Sequence, residues 1–197
     1  MSSLTLAASR PTLADRLFSR SLTTDILLIG AGAALTGVLA QVSIPLYPVP
    51  ITGQTLAVIL VGSTLGALRG ALSMVLYLAL GTIGLPWFSE ASSGWGVVAG
   101  PTGGYIVGFI AAAALTGWLA QRTWDRRVLG AFVSMSAGTL VTFAVGLPWL
   151  AASLGLTLEQ TLEAGLYPFL IGGVIKALLA AGILPLAWKL SSKRADR

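Results

Sequence analysis

The chain has 197 residues, 55% of them hydrophobic and 10% charged, with a net charge of +5 and a mean hydropathy of +0.87. A soluble domain carries about 25% charged residues, so the sequence is suited to lipid and reads as one membrane domain without a soluble module. It contains no Cys and no His, which excludes disulfides, thiolate metal sites and haem attachment, and removes the commonest metal ligand and neutral-pH proton shuttle.

Residues 1–24 are polar and weakly basic. They lack a compact apolar run followed by a small-residue cleavage site, so they read as a tail and not as a cleaved signal peptide. A spanning helix needs roughly 20 mostly apolar residues, and six candidate runs follow: 25–43, 53–68, 70–85, 103–121, 128–150 and 165–190. The second and third are short and are separated only near Arg69. Residues 191–197 form a second polar tail. The expected fold is therefore an all-α membrane protein, a bundle of six transmembrane helices spanning 25–190.

The cations fall in alternate connections. Arg10, Arg16 and Arg20 precede the first helix, Arg69 separates the second and third, and Arg122, Arg126 and Arg127 separate the fourth and fifth. Lys189, Lys193, Arg194 and Arg197 end the chain, and the intervening loops contain no Lys or Arg but hold Glu90, Glu159 and Glu163. Under the positive-inside rule this pattern places both termini in the cytoplasm. It assigns the basic balance to topology and argues against nucleic-acid binding.

One cation remains, Lys176, about one third of the way into the sixth run. An ionisable residue inside a span is expensive and by default suggests function. The bland alternative is snorkelling to an interface, but Lys189 serves the cytoplasmic end of that helix better. The uncharged side also carries the informative loops. Loop one, "PLYPVPITGQTL" (45–56), has Pro45, Pro48 and Pro50, which fix the backbone and remove three donors. Thr52, Gln54 and Thr55 then supply uncharged donors and acceptors. Loop two (84–105) is rich in Gly, Ser and Trp, and "GLPW" occurs at 84–87 and again at 146–149. Each Trp, Trp87 and Trp149, reads equally well as an interfacial belt residue.

Phosphate-cradling G-x-x-x-x-G-K-[ST] loops are absent, as is any metal-ligand cluster. Asp25 lies at a helix edge and the Glu residues lie in loops, which weakens an intramembrane protease or a proton-coupled antiporter. A membrane hydrolase would need a nucleophile and a base, and neither stands out. A structural subunit without a ligand is the third class, and a binding subunit fits best: apolar walls, a few polar groups and a lid. On the first helix, Gly30-x-x-x-Ala34 and Ala33-x-x-x-Gly37 are small-xxx-small pairs, which serve either internal packing or a partner membrane subunit.

At this point "PVPITGQTLAVILVGSTLG" (48–66), "GLPWF", "GPTGGYIVGFIAAA" (100–113) and "PFLIGGVIKALLAA" (168–181) resemble BioY, the biotin-binding S component of energy-coupling-factor (ECF) transporters. The first and third blocks are specific; the apolar runs between them are not. The resemblance implies biotin uptake across the cytoplasmic membrane, no cofactor, and a pocket near the outer face with loop one as a stiff lid. It implies as ligand residues Lys176, Gln54, Thr52, Tyr105, Thr102, Gly103, Trp87, Trp149 and Gly173. It also implies a transmembrane coupling protein and two cytosolic ATPases as partners, with Ala33 and Gly37 on the docking face. The alternatives are another small vitamin-like ligand, or biotin transport without ATPase partners. One departure stands out: the family pattern near the sixth helix reads Gly-Asp-x-x-Lys, and here Gly173 occupies the place of the acid. The lysine is kept without its expected partner, either to pair with a ligand carboxylate or because specificity has shifted.

Overall fold

The computed structural model describes residues 11–195, with side chains through 192. Arg10 and Arg197, and the side chains of Lys193 and Arg194, lie outside the described residues. Among the described residues, α1 (Leu13–Leu17) and α2 (Leu22–Ala40) lead into a two-residue-per-strand hairpin, β1 (Ser43–Ile44) and β2 (Ile51–Thr52). Then come α3 (Gln54–Leu65), α4 (Ala67–Thr82), α5 (Trp95–Ala99), α6 (Gly103–Gln121), α7 (Val128–Leu154), α8 (Leu158–Gly165) and α9 (Tyr167–Ala195). Four helices, α2, α6, α7 and α9, are long and apolar enough to cross a membrane. The other two expected spans are shorter apolar helices of 12 and 16 residues. At ~1.5 Å per residue α3 reaches only ~18 Å, against a hydrocarbon thickness of ~30 Å.

Local chemistry sets the boundaries. Ser21 caps α2 by accepting from the Thr24 N–H, which starts the helix before the expected residue 25. Asp25 therefore sits a turn inside the helix, fully buried, and not at its edge. The break between α3 and α4 falls at Gly66, whose φ of +90° is cheap only for glycine. Arg69 is consequently not a loop cation. It lies in the first turn of α4, buried among Asp15, Asp25 and Thr12. Helix α7 runs four residues past the expected end and carries Pro148 inside it, so the second "GLPW" lies within the helix. Loop three contains α8, started by a reciprocal cap in which Thr157 and Gln160 each bond the other's backbone N–H.

Helix α6 is the axis of the bundle, 67% buried along its span, and it packs against α7, α3 and α4. The larger apolar core lies between α2, α3, α4, α6 and loop two. A smaller one, with Ile59, Met135, Ala180 and Leu184, joins α3, α7 and α9. Helix α1 packs on α3 and α9. On α2, Ala33 and Gly37 face inward: Ala33 is fully buried, and a Cβ at Gly37 would lie 3.1 Å from the Trp87 ring. Within the chain both are packing residues, and Trp87 folds back over Gly37. Ala34 is exposed, and open space surrounds Gly30.

Candidate functional site

The two unusual loops meet over one cavity. Loop one folds as the β1–β2 hairpin, with Ser43 paired to Thr52 and Ile44 to Ile51. The paired strands hold the proline-rich segment across the mouth of the bundle, with Val49 buried and Tyr47 90% exposed. Because α3 starts directly after β2, its first turn carries Gln54 and Thr55 into the space beneath. Loop two enters through Phe88, which is fully buried. Its ring occupies the place where a Cβ on Gly81 would be, so any larger residue at 81 would expel it.

The resulting cavity has a volume of about 290 Å³, the size of a small-molecule site. Its walls are mostly apolar: Val49 and Pro50 from loop one, Phe88 and Val97 from loop two and α5, and Ile106 and Phe109 from α6. Tyr105, Phe143 and Phe169 form a three-ring wall from α6, α7 and α9, with centroid separations of 6.0 to 6.4 Å. Edge-to-face and offset arrangements of this kind suit aromatic quadrupoles. They give a rigid face against which a flat or bicyclic ligand can rest.

The polar groups are few and mostly engaged. Lys176 turns its ammonium into the cavity and does not snorkel. Its Nζ donates to the Thr52 carbonyl oxygen at 2.6 Å and to Thr55 Oγ1 at 2.8 Å. Among the described residues it forms no ion pair, so its charge is solvated by neutral acceptors only. Thr52 Oγ1 donates to Gln54 Oε1 at 2.7 Å, and Gln54 Nε2 donates to the Tyr77 hydroxyl at 2.6 Å. That hydroxyl donates to the Trp87 carbonyl at 3.1 Å. One continuous chain of hydrogen bonds thus joins α9, loop one, α3, α4 and loop two. By its donor count, Gln54 keeps one N–H for a ligand.

Five of the expected ligand residues, Thr52, Gln54, Thr102, Tyr105 and Lys176, line this one cavity. Four others lie outside its lining. The Trp87 ring packs at a tilt against Tyr77, with centroids 5.2 Å apart, and its indole N–H donates to the Tyr77 carbonyl. Trp149 donates to the Gly100 carbonyl at 3.0 Å. Both indoles are struts that tie loops to helices. Gly103 packs against the Val98 backbone, which lets α6 begin where it does. Gly173 has open space around the position of a Cβ, so packing does not forbid an acid there. Even Tyr105 spends its hydroxyl on the Gly165 carbonyl at 3.0 Å and offers the cavity its ring.

Sequence reasoning missed the aromatic wall and the contribution of Ser89 and Glu90 from loop two. Phe143 and Phe169 lie within apolar runs where nothing distinguishes a pocket residue from a lipid-facing one. Glu90 did have a signal, as the one acid in a loop otherwise made of Gly, Ser and apolar residues. Gln41, at the end of α2, was also missed; it holds loop two by several hydrogen bonds.

Comparison with known proteins agrees with this arrangement. The chain matches the BioY family over residues 9–193. It is 37% identical over 169 residues to the biotin transporter BioY of Rhizobium etli, covering 81% of this chain and 90% of that protein. It is 37% identical over 155 residues to the biotin transporter BioY2 of Lactococcus lactis subsp. cremoris, covering 79% and 85%. Among solved structures it superposes on the S-component for biotin from an ECF-type ABC transporter with a TM-score of 0.75 and 26% identity, covering 85% of this chain and 92% of that one. The chain belongs to the BioY family.

Proposed function

We propose that this chain binds biotin in the cavity beneath loops one and two and serves as the substrate-specific subunit for its uptake. The observation that carries the reading is a partly open, mostly apolar cavity of about 290 Å³ into which a BioY-family chain turns a lysine that has no acidic partner among the described residues. Biotin is a compact bicyclic urea with an apolar thioether ring and a chain ending in a carboxylate. The aromatic wall suits the rings. Gln54 and Thr55 suit the ureido group or the carboxylate, and Lys176 suits the carboxylate. The chain is a transport subunit and not an enzyme.

The stiff loop-one hairpin serves as the lid. Its prolines and strand pairing reduce the ordering cost of closing over a ligand. Six membrane passes, two of them made by the short helices α3 and α4, put both termini in the cytoplasm of a cell bounded by the cytoplasmic membrane; the basic connections support this reading. A transmembrane coupling protein and two cytosolic ATPases are the partners this role calls for. Ala33 and Gly37 could reach such a partner only if α2 repacked, whereas Ala34 is already exposed.

Calorimetric titration of the purified chain with biotin and with biotin amide tests the reading. Tight binding of biotin with weaker binding of the amide is expected. Equal binding would remove the Lys176–carboxylate contact. No binding of either would limit the family relationship to the fold.

A further inference from the structure

The cations at the end of the bundle opposite the cavity are held in two ways. Arg69 spends its donors inside the chain, on Asp15, Asp25 and Thr12. Three exposed arginines lie on rings instead. Arg122 Cζ is 3.7 Å from the centre of the Trp118 ring, and Arg126 Cζ and Arg16 Cζ are 4.3 and 5.1 Å from that of Trp188. Arg16 comes from α1, Arg126 from the short turn Trp124–Arg126 between α6 and α7, and Trp188 from α9, where it is buried. Three elements thus meet to place two guanidinium groups on one ring. Topology asks only that cations lie on this side of the membrane; it does not ask that two of them share a ring.

A ring attracts a guanidinium through its face and makes no demand on the forked N–H edge, the part that matches a phosphate. Two like charges on one ring also repel, and the acid beside them offsets one charge at most. That acid, Asp125, is buried, accepts the Trp188 indole N–H and feels the Arg126 charge. The other acids of this end, Asp15 and Asp25, have buried side chains set against Arg69. Among the described residues, the exposed ionisable side chains of this end are therefore all cations: Arg16, Arg20, Arg122, Arg126, Arg127 and Lys189.

The neighbouring side chains indicate which anion fits. Leu17, Phe18, Val128, Leu129 and Leu190 flank these cations along the chain and are 48% to 74% exposed. Helices α7 and α9, which carry three of them, are long and apolar enough to cross a membrane. Cations beside exposed apolar side chains at the ends of such helices suit one molecule with an anionic head and an apolar tail. An acidic protein surface would match the cations alone.

We propose that Arg16 and Arg126, mounted on Trp188, bind the phosphate of an anionic phospholipid in the adjoining leaflet. The site depends on α7 and α9 crossing the membrane and is independent of what the cavity binds.

The test titrates the purified full chain in neutral detergent with phosphatidylglycerol and with phosphatidylcholine, following bound lipid by native mass spectrometry. A cation beside an anionic lipid contributes roughly fivefold in affinity, so the wild-type chain should prefer phosphatidylglycerol by at least about tenfold. Arg16→Gln/Arg126→Gln should lose most of that preference. Arg127→Gln/Lys189→Gln removes as much charge without touching the ring contacts and should keep most of it. Arg16→Lys/Arg126→Lys keeps the charge, covers the case in which the first pair misfolds, and should fall between the two. Glycerophosphoglycerol, the headgroup without acyl chains, should not displace the lipid at equal concentration. Equal losses in the two Gln pairs would reduce the contact to net charge and overturn the proposal. Displacement by the free headgroup would overturn the lipid as its source. A wild-type chain without the preference would overturn the site and leave these cations to an acidic protein surface.

Discussion

The two ends of the bundle use charge in opposite ways. At the end where the α3–α4 turn and the α6–α7 connection meet α1, charges are cancelled by protein partners. Arg69 donates through Nη2 to Asp15 at 2.8 Å and to Thr12 at 3.0 Å, through Nη1 to Asp25 at 3.1 Å, and through Nε to the Leu65 carbonyl at 2.8 Å. Arg20 also pairs with Asp15. Arg16 and Arg126 both lie over the Trp188 ring, at 5.1 and 4.3 Å from its centroid, while Trp188 donates to Asp125. At the cavity end, Lys176 reaches into the cavity, and among the described residues no ion pair neutralises it. The difference separates structural charge from functional charge: the first kind is met by charges and rings of the chain itself, with Asp125 Oδ1 the one carboxylate oxygen there that lacks a hydrogen bond among the described residues, and the second is held ready for something the chain does not contain.

Breaking the saturated end should have the largest effect. Arg69→Met removes the cation shared by the buried Asp15 and Asp25 carboxylates, and removing one partner of a buried pair costs about 3–5 kcal/mol. A large drop in melting temperature in detergent is expected. If the protein that survives can be purified, its biotin affinity should be near that of wild type. Lys176→Ala should do the reverse. Charged hydrogen bonds are worth about 1.5–3 kcal/mol, so biotin affinity should fall roughly tenfold to a hundredfold by titration, with little change in melting temperature.

That contrast could be read only partly in the sequence. Long apolar runs gave four spans, α2, α6, α7 and α9, and α6 begins and ends at the expected residues, 103 and 121. Lys176 stood out because a lone charge in an apolar run has few structural explanations. Arg69 misled, because positive-inside counting treats every flanking cation as solvent-facing. Its partner Asp25 lies 44 residues away, and no local pattern links them. The two Trp residues misled for a related reason: their indoles bond carbonyls, and backbone acceptors leave no trace in sequence. The left-handed turn at Glu90 and its clamp by Gln41 left no signal either, because the two residues are far apart in the chain.

Intermediate effects are expected along the hydrogen-bonded chain joining the lid to loop two. Tyr77→Phe removes the acceptor of Gln54 and the donor to Trp87, each worth about 0.5–1.5 kcal/mol. Both stability and biotin affinity should decline modestly and together, which separates this relay from Lys176. A stability loss with unchanged affinity would mean the two loops are not coupled through it.

The smallest effects are in the pH dependence of the saturated end. Burial raises the Asp125 carboxyl to about 6 from an ordinary 3.8, despite the opposing Trp188 hydrogen bond and Arg126 charge. Its folded-state value lies above its unfolded one, so its contribution is fully present below pH 3.8 and is lost as pH rises through about 6. Asp15 has the opposite sign. Burial opposes its ionisation, but hydrogen bonds from Thr12 and the Arg69 charge outweigh that and lower its value. Its contribution is present above the ordinary carboxylate range and is lost as pH falls through its lowered value. Melting temperature followed against pH should show both limbs. Asp125→Asn should flatten the limb that ends near pH 6 and leave the acid limb in place.

The most direct test of the division between the two ends is thermal unfolding of wild type, Arg69→Met and Lys176→Ala, each with and without saturating biotin. A ligand that binds only the folded chain raises its melting temperature by an amount that grows with the logarithm of its affinity at a fixed ligand concentration. The account predicts that Arg69→Met melts much lower but gains a wild-type shift from biotin, while Lys176→Ala melts near wild type and loses most of the shift. A Lys176→Ala chain that is destabilised yet keeps the full biotin shift would contradict it.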